Sequence, residues 1–157
     1  MDQATFPYLT HKKLVFDDIS LDVEADVKGV FDQITGLNTD SGRMFRLYNA
    51  AFRRFPDASG LSYWIEQFSS GANDIRTVAS SFLVSEEFKL RYGENVTDNQ
   101  YVKTLYINVL NRELDQGGYD YWVGNLSNGA ETRYEVLLGF AESAENKALF
   151  TDMTGFG

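Results

Sequence analysis

The chain has no cysteine, one histidine (His11) and two prolines in 157 residues. The missing thiols exclude disulfides, thiolate metal sites and a cysteine nucleophile together. They do not by themselves assign a compartment. A lone histidine excludes a His pair, and a Ser-His-Asp triad would have to be built on His11, near the N-terminus. No apolar run approaches the roughly 20 residues of a membrane-spanning helix. The opening segment MDQATFPY has no apolar signal stretch, which carries no information if the sequence is a piece of a longer chain. No phosphate-binding glycine loop and no dinucleotide fingerprint occurs.

Positive charge is also scarce, with 14 Lys and Arg against 23 Asp and Glu, a net charge of −9. Such a chain has no general attraction for phosphate backbones or anionic lipid, so neither nucleic acid nor membrane insertion is expected. Arg53-Arg54 is a local basic spot rather than part of a stripe. Apolar bulk is plentiful: 43% of residues are hydrophobic, with 12 Phe and 9 Tyr. That is enough to offset the ordering entropy of a folded core.

The dominant feature is an internal repeat. LYNAAFRRFPDASGLSYWIEQFSSGA from Leu47 aligns without a gap to LYINVLNRELDQGGYDYWVGNLSNGA from Leu105, a step of 58 residues. Arg54 pairs with Arg112, Asp57 with Asp115, Gly60 with Gly118, and Tyr63-Trp64 with Tyr121-Trp122. The register runs on through Val78 and Val136 and through Phe82 and Phe140 to Ser85 and Ser143. Two copies of a unit too small to bury its own apolar face should pack on each other. The expected organisation is an N-terminal extension over 1–40 with one amphipathic helix, repeat one over 41–96, repeat two over 97–150, and a tail over 151–157.

Each copy reads as helices, so the fold class is all-α, one compact domain of two tandem helical repeats plus an N-terminal helix. Met44, Leu47, Tyr48, Ala51, Phe52 and Phe55 recur at the spacing of one helix face, as do Val102, Leu105, Tyr106 and Val109. Thr97 with Gln100, and Thr132 with Glu135, are capping-box pairs. Pro56 disfavours helix at Phe55. Asp57 and Asp115 are placed to cap the next helix, whose apolar positions are Leu61, Trp64, Ile65 and Phe68, or Tyr119, Trp122, Val123 and Leu126. Gly71 and Gly129 fit its end. A third helix begins near Asp74 or at Thr132, and short final helices at Ser85 and Ser143. Val27, Val30, Phe31, Ile34 and Leu37 predict a helix docking on repeat one. Leu14-Val15-Phe16 reads as a short extended segment, and nothing alternates long enough for a sheet.

Several residues are candidates for a site. One carboxylate per Asp-x-x-Gly turn suits helix capping better than calcium, which takes several oxygens from one loop. Asp17, Asp18, Asp22, Glu24 and Asp26 read as a solvated acidic face, with a cation site as the alternative. Trp64 and Trp122 fall on apolar positions and should be core. Tyr63 and Tyr121 lie about a hundred degrees round the helix from them and point towards the surface or a groove. Aromatics beside amides and carboxylates are what sugar sites use, and Asp120 and Asn125 lie nearby in sequence with Asp57 and Asp115. A glycosidase would need two placed carboxyls, such as Glu113 with Asp115 or Asp120, but acids are too abundant here for that to discriminate.

The Leu-Tyr, Arg-x-x-Asp-x-x-Gly, Tyr-Trp and Gly-Ala elements, with a Phe followed by Ser-Glu-Glu or Ser-Ala-Glu, resemble the bacterial family called domain of unknown function 4214. The likeness covers about residues 43 to 150, and its motif positions are Arg54, Asp57, Gly60, Tyr63, Trp64, Arg112, Asp115, Gly118, Tyr121 and Trp122. Leu114 replaces the usual Pro before the second Asp, a change expected to loosen that turn. A looser likeness, in the rhythm of Leu-Tyr and Arg-bearing helices, is to phycobilisome linker polypeptides. The first resemblance implies a helical module of larger exported or surface proteins that often carry calcium-binding repeats or sugar-active domains, and it implies no established activity.

The resulting expectation is a non-catalytic, extracellular or cell-surface module of a longer bacterial protein. It binds a surface glycan or a protein partner, with no obligate cofactor and calcium as an open alternative. A structural spacer and a polysaccharide-acting hydrolase are the competing expectations.

Overall fold

A computed structural model describes residues 27–157 in full, and residues 13–15 and 20–22 as backbone. His11 and the acidic residues Asp17, Asp18, Glu24 and Asp26 lie outside the described residues. The extended segment expected at Leu14 is present: β1 (Lys13–Val15) pairs antiparallel with β2 (Ser20–Asp22), Leu14 opposite Leu21. This three-residue ladder is the sheet structure among the described residues, and the rest of them form helices, turns and loops.

The helices are α1 (Gly29–Phe31), α2 (Asp40–Phe52), α3 (Ala58–Ser69), α4 (Ile75–Leu83), α5 (Glu86–Tyr92), α6 (Asp98–Leu110), α7 (Gln116–Ser127), α8 (Arg133–Ala141) and α9 (Ala144–Thr154). The protein is all-α, with helix packed on helix around one core. Each of α6 to α9 starts 58 residues after its counterpart among α2 to α5, as Asp98 follows Asp40 and Ala144 follows Glu86.

The helix starts follow from their caps. Thr39, Asp57, Asp74, Ser85, Thr97, Asp115, Thr132 and Ser143 each sit in extended backbone and accept an N–H from three residues on. Thr97 with Gln100 and Thr132 with Glu135 complete the reciprocal boxes. Each cap satisfies one of the amides that a helix start leaves without a partner, and is worth about 1 kcal/mol. At the other ends, Gly71 and Gly129 adopt φ of 77° and 75°, which a side chain would resist.

The N-terminal helix is shorter than its apolar spacing predicts. Val30 and Ile34 are buried, and Phe31 and Leu37 pack on the core, but helix covers only Gly29–Phe31. Competing hydrogen bonds stop it. The Thr35 N–H donates to Ser41 Oγ at 3.0 Å, and the Leu37 carbonyl accepts from Arg46.

Likewise α2 ends at Phe52 and leaves Phe55, expected on its buried face, partly exposed. Arg53 turns into the left-handed region and Pro56 follows. The Phe55 ring still meets Phe31 at 5.3 Å and Phe45 at 6.0 Å.

The core joins α2, α6 and α8. Met44, Leu47, Ala51, Val78, Val102, Leu105, Val136 and Leu137 are fully buried in it. Arg46 crosses between the halves. Its side chain is only 1% exposed and pairs with Glu142 at 2.8 Å. Nε also donates to Glu142 Oε1 at 3.0 Å, Nη1 to the Leu37 carbonyl at 2.6 Å, and the guanidinium lies 5.0 Å from the Phe150 ring centre. These partners occupy the donors of a cation that would otherwise be costly to bury.

The second helix of each copy sits at the margin. Leu61 is the buried residue of α3, with Trp64, Ile65 and Phe68 half-buried. In α7 no residue is fully buried, so Tyr119, Trp122, Val123 and Leu126 pack against the core from outside it rather than within it. Helix α7 packs on α6, which explains this lighter cover.

Candidate functional site

The repeated motif builds the same clamp twice. Once α2 has ended at Arg53, Arg54 points back along the helix end and forward to the start of α5. Its Nε donates to Glu87 Oε1 at 2.6 Å and its Nη2 to Glu87 Oε2 at 2.9 Å, a two-point pair. Nη2 also donates to Tyr48 Oη at 2.8 Å, and the guanidinium lies 5.0 Å from the Tyr48 ring centre. In repeat two, Arg112 donates to Glu145 at 2.6 and 3.0 Å and lies 5.1 Å from the Tyr106 ring centre.

The copies differ in the third partner. Arg112 reaches Asp115 at 3.2 and 3.3 Å, whereas Arg54 reaches the Tyr48 hydroxyl. The Arg54 guanidinium, hydrogen-bonded to Glu87, holds that carboxyl below the usual carboxylate range, and Arg112 does the same to Glu145. Burial outweighs the nearby arginine at Tyr48 and at Tyr106, and both phenols are raised.

The candidate aspartates are caps. Asp57 Oδ1 accepts the Gly60 N–H at 2.6 Å and the Ser59 hydroxyl at 3.0 Å, while Asp115 Oδ2 accepts the Gly118 N–H at 2.8 Å. At Asp57, burial pushes the carboxyl up, but the Gly60 N–H, Ser59 and Arg54 bring it below its ordinary value. At Asp115 the Gly118 N–H is the main cause of the same downward shift. The motif glycines make room for this. A Cβ at Gly60 would lie 2.8 Å from Asp57 Oδ1, and one at Gly118 would collide with the Tyr106 hydroxyl. Leu114 does not undo the second turn, since Asp115 still caps α7.

Asn125 also works locally: Nδ2 donates to Glu131 Oε2 at 3.0 Å, and the Glu131 N–H donates to the Asn125 carbonyl, closing the turn after α7. Gln67 and Asn73 close the equivalent turn after α3. Asp120 lies exposed on α7, accepting from Gln116 at 2.8 Å. The carboxyls of Asp115 and Asp120 thus have separate local partners. Among the described residues no group of three His, Asp or Glu side chains converges as a metal site.

Tyr63 and Tyr121 are different. They are 53% and 58% exposed. Each ring meets its neighbouring tryptophan edge-on at 5.0 Å, Tyr63 on Trp64 and Tyr121 on Trp122. The tryptophans in turn pack on Phe82 at 5.2 Å and Phe140 at 5.3 Å. A core-anchored indole therefore holds each phenol ring at the surface, at repeat-related positions on α3 and α7.

Sequence reasoning named Arg54 and Arg112 but missed their acceptors, Glu87 and Glu145. The signal was present: both follow the paired serines Ser85 and Ser143 at the same 58-residue step. The clefts were missed as well. One of about 290 Å³ lies between α2, α6 and α9, and an apolar one of about 370 Å³ lies among Leu47, Phe68, Ile75 and Leu138. None of Tyr63, Tyr121, Asp57, Asp115, Asp120 and Asn125 lines either.

Among the described residues no helix is long and apolar enough to cross a membrane. No curated protein and no solved structure matches the chain. Residues 79–150, which run from α4 through α9, match the profile of the family described as Domain of unknown function (DUF4214).

Proposed function

We propose that this chain is a non-catalytic interaction module of a larger bacterial secreted or cell-surface protein, binding a surface glycan or a protein partner through Tyr63 and Tyr121. The observation that carries this is the contrast within the motif. Arg54, Asp57, Arg112, Asp115 and Asn125 spend their polar groups on the fold, while Tyr63 and Tyr121 present more than half their surface to solvent. An aromatic ring held rigid by a tryptophan behind it suits stacking on a sugar face or anchoring a protein contact at little entropic cost. Two such rings on one chain add avidity if both engage one partner. Calcium belongs to the test conditions, with no ligand set assigned.

The test is the double variant Tyr63→Ala with Tyr121→Ala, compared with native protein for retention on immobilised surface glycans and partner proteins. Loss of retention with an unchanged melting temperature is expected, and undiminished retention would refute these surfaces.

One observation favours a second reading, a structural spacer: the charged motif residues are all engaged internally, as a fold needing no ligand would have them. A spacer retains no glycan or partner, so reproducible, saturable retention of either would count against it.

A further inference from the structure

We infer that the cleft between α2, α6 and α9 is a binding site for a carboxylated sugar, a uronic acid residue of an acidic glycan. It neither includes nor depends on Tyr63 and Tyr121. The cleft holds about 290 Å³, room for a single sugar ring. Asn49, Arg53, Asn108, Asn111 and Asn146 line it, with Phe150 among its apolar residues.

Two features point to a ligand. The first is charge. Arg46, Arg54, Arg76, Arg91, Arg112 and Arg133 each pair with a carboxylate. Arg43 and Arg53 have no carboxylate pair among the described residues, and of the two Arg53 lines this cleft, making one long bond, Nη1 to Asn108 Oδ1 at 3.4 Å. Its guanidinium fork matches a carboxylate.

The second feature uses the repeat as an internal control. The 58-residue step relates Asn49 to Ile107, Asn108 to Ala50, and Asn146 to Phe88. Asn49, Asn108 and Asn146 thus stand where the other copy carries an apolar residue, so the helical unit itself does not require an amide at those three positions, whereas Asn111 stands opposite Arg53. The amides gather only where the two copies meet. Asn49 and Asn146 each use Nδ2 on a nearby carbonyl, of Arg54 and Ala141, which fixes the side chain, while Oδ1 makes no hydrogen bond among the described residues. Amide oxygens that accept and a guanidinium that donates match the hydroxyls and carboxylate of a uronic acid.

The test is titration calorimetry of the full chain with tetragalacturonate and with a neutral galactose tetramer. The variants are Arg53→Asn and Asn108→Ala, each adopting the residue its repeat counterpart carries, together with the Tyr63→Ala and Tyr121→Ala double variant. Saturable binding of the acidic oligomer is expected, weakened about tenfold or more by either cleft variant, retained by the tyrosine variant and absent for the neutral oligomer. Melting curves of the cleft variants should match native protein. No saturable binding up to about 10 mM, equal binding of the neutral oligomer, or full binding by Arg53→Asn would overturn the assignment. Loss only in the tyrosine variant would also overturn it, and would assign the sugar to the tyrosine faces instead.

Discussion

Arg54 and Glu87, 33 residues apart in the chain, meet in a two-point ion pair that ties the end of α2 to the start of α5, and Arg112 and Glu145 repeat it over the same separation. The two clamps differ in burial. Arg54 and Glu87 are half-buried, whereas Arg112 and Glu145 are exposed. Truncating one partner of a half-buried charged pair costs about 1–3 kcal/mol, and exposed pairs are worth about 0–1. Arg54→Ala should therefore lower the urea midpoint clearly more than Arg112→Ala. Equal losses would mean that burial does not set the strength of the clamp.

The same pair sets a pH dependence. Hydrogen bonding to Arg54 lowers the Glu87 carboxyl in the folded state. A depressed carboxyl contributes stability that is fully present above its unfolded value, about 4.3, and is lost as pH falls through the folded value. Native protein should lose more stability between pH 5 and pH 3 than Glu87→Gln, by urea unfolding at each pH. Parallel curves would show that Glu87 titrates as it does in the unfolded chain.

Arg46 makes a buried two-point ion pair between the halves. Removing a charge partner from a buried pair costs about 3–5 kcal/mol. Because Glu142 remains partly exposed and regains water, the lower end is expected for Arg46→Ala. The readouts are the denaturation midpoint and faster proteolysis between α2 and α8. A change below about 1 kcal/mol would mean that the apolar core alone joins the copies.

The motif glycines are predicted to matter for space rather than for flexibility. In Gly118→Ala the new methyl meets the Tyr106 hydroxyl, and the Asp115 cap must also shift. A loss of about 1–3 kcal/mol is expected by thermal or urea unfolding. Gly117→Ala, which has nothing within 4 Å of the added carbon, is the control and should not destabilise.

Local features of this fold were legible in the sequence, and relations between distant segments were not. Asp57, Thr97 and Thr132 cap helices because an oxygen three residues before an unpaired amide is a local geometry, written in adjacent letters. The outward turn of Tyr63 from Trp64 follows from one helical step of about 100°. Glu87 was not found, because pairing it with Arg54 requires knowing that α5 returns to the end of α2. The Asn49 and Asn108 cleft forms where three helices converge, which no single helical period encodes. The length of α1 was overestimated because Val30, Ile34 and Leu37 do face the core, though not from one continuous helix: the bonds from Thr35 to Ser41 and from Arg46 to Leu37 redirect the chain.

The most direct test of the proposed role is a glycan-array screen of native protein beside the Tyr63→Ala and Tyr121→Ala double variant, each run in calcium and in chelator. Saturable binding of native protein to a related set of glycans, lost in the double variant, is the predicted result. Equal binding by the two proteins would contradict the assignment to these tyrosines, and a blank array in both conditions would contradict the glycan-binding role.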